Sequence, residues 1–333
     1  MAKTGESPHA KRDVIAQALL DGCDEQQIRA RLLDSGASDK SADYELKCLA
    51  KDPFFAAARQ LSNRLAKRDW TLDLYARLHA QNDAAHNIPT VHAIEPERFF
   101  RAFYFANRPV KLTGLVDHWP ALERWTLDYL DQTLGNAVVE LQGQHGASPR
   151  YESDKTAHER RVPMRAVIEL LRRDEASNDF YITAYNDKTN KATLAPLWDD
   201  LAPVSILRES GGRDGFFWMG PRGTLTPFHH DLTNNLLVQV SGRKRVRMVP
   251  SWETARMRNS LHCFSDWTLD DFLDDTIATP PMLECTIDAG EAIFLPIGWW
   301  HHVEALDRSI SMSFTNFAAD NDFTGGYPLS AVF

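Results

Sequence analysis

Residue types that bind divalent metals occur in two short segments of this sequence. His229 and Asp231 are separated by one residue in Thr-Leu-Thr-Pro-Phe-His-His-Asp (224–231), and a histidine pair, His301–His302, follows much later. Side chains two positions apart in a strand point to the same side, so His229 and Asp231 can reach one cation while His230 points away. One histidine of the later pair would complete a triad of two histidines and one carboxylate, which leaves coordination positions open, as non-haem Fe(II) enzymes require.

A histidine and a carboxylate two positions apart are weak evidence by themselves, because such pairs arise often by chance and usually have structural or surface roles. The neighbouring sequence strengthens the metal interpretation. A strand-like run, Asn235–Val240, follows the first pair, and a tight turn at Ser241–Gly242 leads into a basic strand. The later histidine pair follows Phe-Leu-Pro (294–296), which is typical of a buried strand that enters a turn.

The basic strand, Arg243–Met248, alternates between two kinds of residue. Lys244, Val246 and Met248 share one face, and three arginines share the other. The face with two apolar residues is expected to point into the core, which makes Lys244 a buried cation that needs an anion. The arginines, at positions 243, 245 and 247, are expected to form a solvated outer face rather than a patch for polyanions.

The elements that must position these residues lie in the second part of the chain. Most segments there are short β-type runs bounded by Gly, Pro and Asp, a pattern typical of a sandwich or barrel. Two helices are predicted before or among them, at Glu95–Ala106 and Leu127–Leu134. The predicted strands are Ala137–Gln142, Phe180–Ala184, Gly215–Met219, Asn235–Val240, Lys244–Val249, Ala292–Pro296 and Ser309–Thr315.

The first part of the chain, residues 11–86, has the apolar spacing of helices and is predicted to form an N-terminal helical domain. After three shorter helices, a fourth is expected over Pro53–Arg68 and a fifth from Thr71. Residues 1–10 are polar and are expected to be disordered. Residues 87–333 are predicted to be the catalytic domain, so the expected fold class is α+β with a mainly β catalytic domain.

Composition limits the function classes. With 333 residues, 43% of them hydrophobic and 25% charged, the chain can form a globular protein with a sizeable core. The formal net charge of −9 makes nucleic acid an unexpected partner. None of the four cysteines forms a C-x-x-C pair, so neither a zinc site nor a redox motif is expected. No signal peptide or membrane span is expected, and a cytoplasmic location fits.

Two motif blocks carry a family resemblance. T-P-x-H-x-D-x-x-x-N-L-L-x-Q-x-x-G-x-K-R begins at Thr226, and D-A-G-E-A-I-F-L-P-x-G-W-W-H-H-V-E begins at Asp288. Together they resemble the JmjC-type 2-oxoglutarate oxygenases of the cupin-like branch, which includes the asparaginyl hydroxylase of hypoxia-inducible factor. The resemblance covers residues 88–317 and implies a double-stranded β-helix (a jelly roll) that uses Fe(II), 2-oxoglutarate and O₂.

The resemblance also assigns roles to individual residues. It makes His229, Asp231 and His301 the iron ligands, with His302 facing the other way. It matches Lys244 and Thr226 to the residues that hold the far carboxylate of 2-oxoglutarate. The further matches are Asn235, which would lie near the co-substrate, and Tyr181, which would contact the same carboxylate beside Thr183; an ordinary strand tyrosine is the alternative for Tyr181.

Some positions compete with or depart from the family pattern. Many 2-oxoglutarate oxygenases use an arginine after the second histidine, and Arg308 is the candidate here, although Lys244 is favoured. Ser313 and Thr315 replace an asparagine and a tryptophan of the asparaginyl hydroxylase. Because these positions help to shape the pocket, the identity of the substrate is not carried over.

The expected reaction is hydroxylation of a C–H bond with succinate and CO₂ as co-products. A protein or peptide side chain is the preferred substrate, a small molecule is the first alternative, and histone demethylation is disfavoured because no chromatin-reader motif is visible. A cupin enzyme that works without 2-oxoglutarate and a non-catalytic JmjC-like binding module are the competing hypotheses. The N-terminal helices could dock a polypeptide, form a homodimer or be purely structural.

Overall fold

The computed structural model describes residues 8–82, 85–145, 155–209, 214–259 and 261–328. The chain divides into two compact units, one that ends at His79 and one that begins at Ala80. Of the tail that was expected to be disordered, residues 1–7 lie outside the described residues, and residues 8–10 form the first turn of a helix. The predicted domain boundary at residue 86 falls shortly after the division at His79.

The N-terminal unit consists of four helices, α1 (Pro8–Leu20), α2 (Glu25–Asp34), α3 (Asp39–Leu49) and α4 (Pro53–Ala80). Asp24 and Gln27 form a reciprocal capping box at the start of α2, which satisfies amide groups that the helix itself cannot. The two helices that were predicted over Pro53–Arg68 and from Thr71 are one continuous helix. No Gly or Pro interrupts residues 54–80, so no residue stops the helix between them.

The second unit begins with β1 (Thr90–His92), α5 (Pro96–Phe99), a π-helix (Phe100–Tyr104), β2 (Val110–Thr113), α6 (Ala121–Arg124), α7 (Leu127–Leu134) and β3 (Val138–Gly143). It continues with α8 (Lys155–His158), β4 (Glu159–Pro163), α9 (Met164–Arg172), β5 (Phe180–Tyr181), α10 (Asp187–Thr193), β6 (Phe216–Gly220) and β7 (Leu225–His229). The remaining elements are β8 (Asn235–Ser241), β9 (Lys244–Val249), α11 (Leu269–Leu273), β10 (Leu283–Ile287), β11 (Ala292–Leu295), β12 (Trp300–Ala305) and β13 (Ser309–Phe314).

These strands form the jelly roll that was predicted. A six-stranded sheet has the order β1-β2-β11-β8-β13-β6, and a four-stranded sheet has the order β10-β9-β12-β7. A third, smaller sheet has the order β4-β3-β5. Sequence neighbours such as β7 and β8 lie in different sheets, as expected when a chain winds between the two layers of a double-stranded β-helix. The fold class is confirmed, with the helices preceding the β domain in the sequence.

Each of the seven predicted strand runs contains a strand, and Leu127–Leu134 is the predicted helix. The predicted helix at Glu95–Ala106 is instead a short α-helix that continues as a π-helix. The run that was predicted over Phe180–Ala184 is a strand for two residues only, because Thr183 caps a following 3₁₀-helix through its side chain.

The four-stranded sheet carries the residues of chemical interest. Strand β12 lies between β9 and β7, so His301 pairs with Met248 on one side and with His229 on the other. Further along, Val303 pairs with Thr226, so one residue of β12, His302, opposes two residues of β7. This bulge at Pro227 and Phe228 brings Thr226 and His229 to the same side of the sheet, although regular strand alternation would separate them.

The expected solvated face of arginines needs a correction. Arg247 is buried, with its Nε 2.8 Å from Glu284 Oε2 and its Nη1 3.0 Å from Glu304 Oε2. Glu284 and Glu304 lie on β10 and β12, the two strands that flank β9. Arg247 is therefore held by its neighbours in the sheet, and only Arg243 and Arg245 remain partly or fully exposed.

None of the helices formed by the described residues is both long enough and apolar enough to span a membrane.

Candidate active site

His229, Asp231 and His301 lie together at one end of the four-stranded sheet. Each offers one ligand atom, and these three atoms all lie within 4.8 Å of one another. Nε2 of His229 is 3.8 Å from Asp231 Oδ1, and Nε2 of His301 is 3.9 Å from Asp231 Oδ2. The two imidazole rings are 4.2 Å apart between centroids. This arrangement can hold a divalent metal ion between two ring nitrogens and a carboxylate.

Hydrogen bonds fix the tautomers of both histidines. Nδ1 of His229 lies 2.9 Å from the carbonyl oxygen of Pro227, and Nδ1 of His301 lies 3.0 Å from that of Trp299. Because a carbonyl oxygen can only accept, each Nδ1 carries the proton and donates, which leaves the lone pair on Nε2. Asn235 donates from Nδ2 to Asp231 Oδ2 at 3.2 Å and so orients the carboxylate.

The two histidines next to these residues point elsewhere, as predicted. The His230 ring packs edge-on against Trp300 at 4.7 Å, and its Nε2 is 3.0 Å from the Tyr327 hydroxyl. His302 is buried with its ring 5.2 Å from that of Phe228. Burial, with the positive charge of Arg247 as a smaller cause, lowers the pKa of His302 to about 4, so this imidazole is neutral near pH 7.

Lys244 is buried, as strand alternation predicted, with a relative exposure of 2%. Its Nζ donates to the Tyr181 hydroxyl at 2.9 Å and lies 5.5 Å from the centre of the Tyr181 ring and 5.9 Å from that of Trp218. Among the residues that the structure describes, no carboxylate lies within ion-pair distance of this ammonium group. Burial lowers the pKa of Lys244 to about 7, because the charged form is poorly solvated.

The triad and Lys244 line one cavity of about 190 Å³. Every residue that the sequence assigned to the site faces this cavity: Tyr181, Thr226, His229, Asp231, Asn235, Lys244 and His301. Two positions that depart from the family pattern, Ser313 and Thr315, also line it. The Ser313 hydroxyl accepts a hydrogen bond from Trp218 Nε1 at 2.8 Å, which fixes the indole against the cavity wall.

Two other sequence candidates lie outside the cavity. Thr183 is buried, but its hydroxyl caps the helical turn over Ala184–Asn186. Arg308 donates to the carbonyl oxygen of Leu171 at 2.9 Å and lies 4.0 Å from Asp174. The structure therefore supports the choice of Lys244 over Arg308 as the cation of this site.

Sequence analysis did not assign to the site several residues that line the cavity. Phe216 and Trp218 alternate along β6 and face the cavity from the six-stranded sheet, and Tyr185, which is 41% exposed, lies beside them. Thr233 adds a hydroxyl close in sequence to Asp231. Alternation along β6 could have identified the first pair, but Tyr185 lies in a helical turn that gave no strand or helix signal.

The residues of the cavity fit the groups that the family resemblance implies. Two imidazoles and a carboxylate are suitable ligands for Fe(II) and leave other coordination positions open. The buried ammonium of Lys244 has no anionic partner within the described part of the chain, and Tyr181 and Thr226 line the same cavity. An anionic co-substrate with an additional metal-binding end fits this set of donors.

Comparisons with known proteins agree with the fold and the site. A family model described as a cupin-like domain matches residues 96–322. Lysine-specific demethylase JMJ30 of Arabidopsis thaliana is 30% identical over 233 residues, which cover 66% of this chain and 52% of that protein. Lysine-specific demethylase 8 of Xenopus tropicalis is 27% identical over 247 residues, which cover 70% and 53%.

A third relative is the human protein named bifunctional peptidase and (3S)-lysyl hydroxylase JMJD7. It is 26% identical over 254 residues, which cover 66% of this chain and 80% of the relative. The chain spans about half the length of the first two relatives. These matches confirm the resemblance to the cupin-like branch of JmjC-type proteins at the level of the family. Since the matched region covers most of the chain, the protein belongs to the family of cupin-like domains.

Proposed function

We propose that this protein is an Fe(II)- and 2-oxoglutarate-dependent oxygenase that hydroxylates a C–H bond of a polypeptide side chain. His229, Asp231 and His301 bind the iron. Lys244 binds the far carboxylate of 2-oxoglutarate, with Tyr181 and Thr226 as hydrogen-bonding partners, and Asn235 orients Asp231 beside the co-substrate.

One observation carries this proposal: a single cavity is lined both by a triad that could hold a metal ion and by a buried ammonium group that has no carboxylate partner among the described residues. Lys244 lies four residues along β9 from Met248, the residue that pairs with His301. That separation is about 13 Å along the strand. A dicarboxylate whose keto acid end binds metal satisfies both groups at once.

Fe(II) and 2-oxoglutarate, when bound, supply the chemistry that activates O₂ for C–H hydroxylation and release succinate and CO₂. The residues of the chain hold and orient these groups. The Nδ1 hydrogen bonds of His229 and His301 keep Nε2 of each ring available to the metal. Trp218 and Phe216 line the cavity with apolar surface, which limits access of water to the reacting atoms.

The substrate is proposed to be a polypeptide because the relatives' names refer to lysine and lysyl groups, which are side chains of polypeptides. Those names include both demethylases and a hydroxylase, so they support oxidation at a side chain without choosing between the two outcomes. Hydroxylation is preferred because it is the simpler outcome: demethylation also begins with oxidation of a C–H bond, but on an N-methyl group. A small-molecule substrate of the same chemistry is the alternative.

The proposed site can be tested by crystallography of the protein with a redox-inert divalent metal and a non-reactive analogue of 2-oxoglutarate. We expect the metal on His229, Asp231 and His301, and the distal carboxylate of the analogue on Lys244. An analogue bound away from Lys244 would contradict the assignment. Mass spectrometry of peptides incubated with the active enzyme then tests the outcome: a gain of one oxygen atom supports hydroxylation, whereas loss of a methyl group indicates demethylation.

A further inference from the structure

Asp231 lies outside regular secondary structure, although it is one of the three candidate metal ligands. Strand β7 ends at His229 and β8 begins at Asn235, so the carboxylate is carried by the connection between them. The backbone N–H of His230 donates to the carbonyl oxygen of Cys263 at 3.0 Å, but among the described residues no ladder of strand hydrogen bonds holds this connection in place. Its position must therefore be fixed by other contacts.

A pair of asparagine side chains supplies such contacts. Asn321, which follows the last strand, accepts hydrogen bonds at Oδ1 from the backbone N–H of Asn234 at 2.8 Å and from its Nδ2 at 2.9 Å. In return, Asn321 Nδ2 donates to the carbonyl oxygen of Asn234 at 2.9 Å and to that of Thr315 at 2.7 Å. We call this reciprocal contact of Asn234 and Asn321 the amide clasp.

The amide clasp also reaches the segment that precedes the third ligand. The Oδ1 atom of Asn234 accepts a hydrogen bond from the backbone N–H of Ile297 at 2.9 Å. The next residue, Gly298, donates from its backbone N–H to the carbonyl oxygen of Asp231 at 3.3 Å. The turn before His301 is thus bonded to the connection that carries Asp231 in two ways. Gly298 contacts Asp231 itself, and Ile297 contacts Asn234.

Asn234 is buried, Asn321 is half-buried, and the clasp is supported from a third direction. Asn234 has a relative exposure of 2%, so water does not compete for its hydrogen bonds. The Tyr104 hydroxyl lies 2.9 Å from the carbonyl oxygen of Asp320 and 3.1 Å from Asn321 Oδ1, and it shares its single proton between these two acceptors. Both polar atoms of the Asn234 side chain have hydrogen-bond partners. The side chain is therefore held in one orientation.

We propose that Asn321 is a positioning residue for the metal site, which acts through Asn234 on the segments that carry Asp231 and His301. Groups that orient metal ligands commonly affect metal affinity by about 10- to 100-fold. This role rests on the proposed function, because it assumes that the triad binds a metal. Asn321 does not itself contact any of the three candidate ligands. Under this proposal, the segment after β13 nevertheless helps to build the metal site.

Titration of the metal-free full-length protein with Co(II), followed by the visible absorption of the bound metal, measures the effect without any turnover. We expect Asn321→Ala to weaken Co(II) binding about 10- to 100-fold. Asn321→Asp retains the oxygen that accepts from Asn234 and Tyr104 but loses both donated bonds, so intermediate affinity is expected. The Asp variant also carries the test if the Ala variant does not fold.

Asn190→Ala is the matched control. Asn190 is as buried as Asn234 and more buried than Asn321, and it exchanges two hydrogen bonds with the backbone of Glu140, in the sheet that contains β3. It should lower thermal stability and leave Co(II) affinity unchanged. Unchanged affinity in both Asn321 variants, or an equal loss in Asn190→Ala, would overturn the positioning role. If the unmodified chain binds no Co(II), the proposed function fails together with this inference.

Discussion

Lys244 donates a hydrogen bond from Nζ to the Tyr181 hydroxyl at 2.9 Å, inside the cavity that the metal-binding triad also lines. A neutral hydroxyl cannot neutralise the ammonium charge, so this hydrogen bond leaves the charge of Lys244 uncompensated. Strand β9 supplies the lysine, and the short strand β5 supplies the tyrosine from a different sheet. The fold thereby places a buried positive charge in the same cavity as the candidate metal ligands.

Replacement of Lys244 by Met should raise the KM for 2-oxoglutarate by at least about 10-fold, because a charge-assisted contact worth about 1.5–3 kcal/mol is lost. Iron binding should persist, since Lys244 is not a ligand. Arg308→Ala is the control, because Arg308 lies outside the cavity and should leave this KM unchanged. Steady-state kinetics with 2-oxoglutarate as the varied substrate measures both. The assignment of Lys244 is wrong if only the Arg308 variant loses affinity.

Binding of 2-oxoglutarate should weaken as the pH rises above about 7. Burial lowers the pKa of Lys244 to about 7, so the free protein loses the ammonium proton above this pH, while the bound carboxylate requires it. Affinity should then fall by about tenfold for each pH unit above 7, until the pKa of the complex is reached. Calorimetry on protein loaded with a redox-inert metal, in buffers of different ionisation enthalpy, should show proton uptake on binding.

The control for this pH dependence is the Lys244→Met variant, whose residual binding should lack both the proton uptake and the loss of affinity above pH 7. A pH-independent affinity in the unmodified protein would show that the lysine stays charged in the free cavity.

The adjacent residues His301 and His302 should differ sharply in metal binding. His301→Ala removes a candidate ligand and should lower divalent metal affinity by more than about 100-fold. That loss exceeds the usual effect of removing a residue that only hydrogen-bonds to a ligand. His302→Gln should retain the metal, because its ring packs against Phe228 on the other side of β12, although stability should fall. Equilibrium dialysis with Co(II) compares the two variants. If His302→Gln lost more metal affinity than His301→Ala, His302 rather than His301 would be the ligand.

His302 should also make the fold sensitive to acid. Its pKa falls from an ordinary value of 6.5 to about 4 in the folded protein, so the unfolded chain binds its proton first as the pH drops. The stability that the neutral ring contributes is present above pH 6.5 and is lost progressively toward pH 4, by up to about 3 kcal/mol.

The His302→Phe variant cannot take up this proton and retains an aromatic ring to pack against Phe228. Urea unfolding at several pH values should therefore show a smaller loss of free energy of unfolding between pH 6.5 and 4 than in the unmodified protein. Identical slopes in the two proteins would mean that His302 is not the source of the acid sensitivity.

Strand alternation and motif spacing predicted a large part of the site. Alternation along β9 placed Lys244 inside, and the motif blocks brought together His229, Asp231 and His301. Alternation failed for Thr226, three residues before His229, because a bulge at Pro227 shifts the register and no local feature fixes where a bulge occurs. Asp231 also lies beyond the end of β7. The connection that carries it is held by Gly298, which contacts Asp231, and by residues 297 and 321, which contact Asn234.

Features that depend on distant partners could not be predicted. Arg247 was expected at the surface, but Glu284 and Glu304 arrive on strands that follow much later in the chain and enclose it. The amide clasp likewise joins two residues that are far apart in the sequence, Asn234 and Asn321. Neither asparagine belongs to a repeating pattern, so only the folded chain shows that they meet.

The most direct test of the central proposal is formation of succinate from 2-oxoglutarate by the purified protein with Fe(II) and O₂. Uncoupled turnover suffices, so the substrate need not be known. We expect succinate to form only when Fe(II) is present, and we expect His301→Ala and Lys244→Met to suppress it. Absence of succinate under these conditions, together with absence of metal binding, would contradict the assignment as an oxygenase.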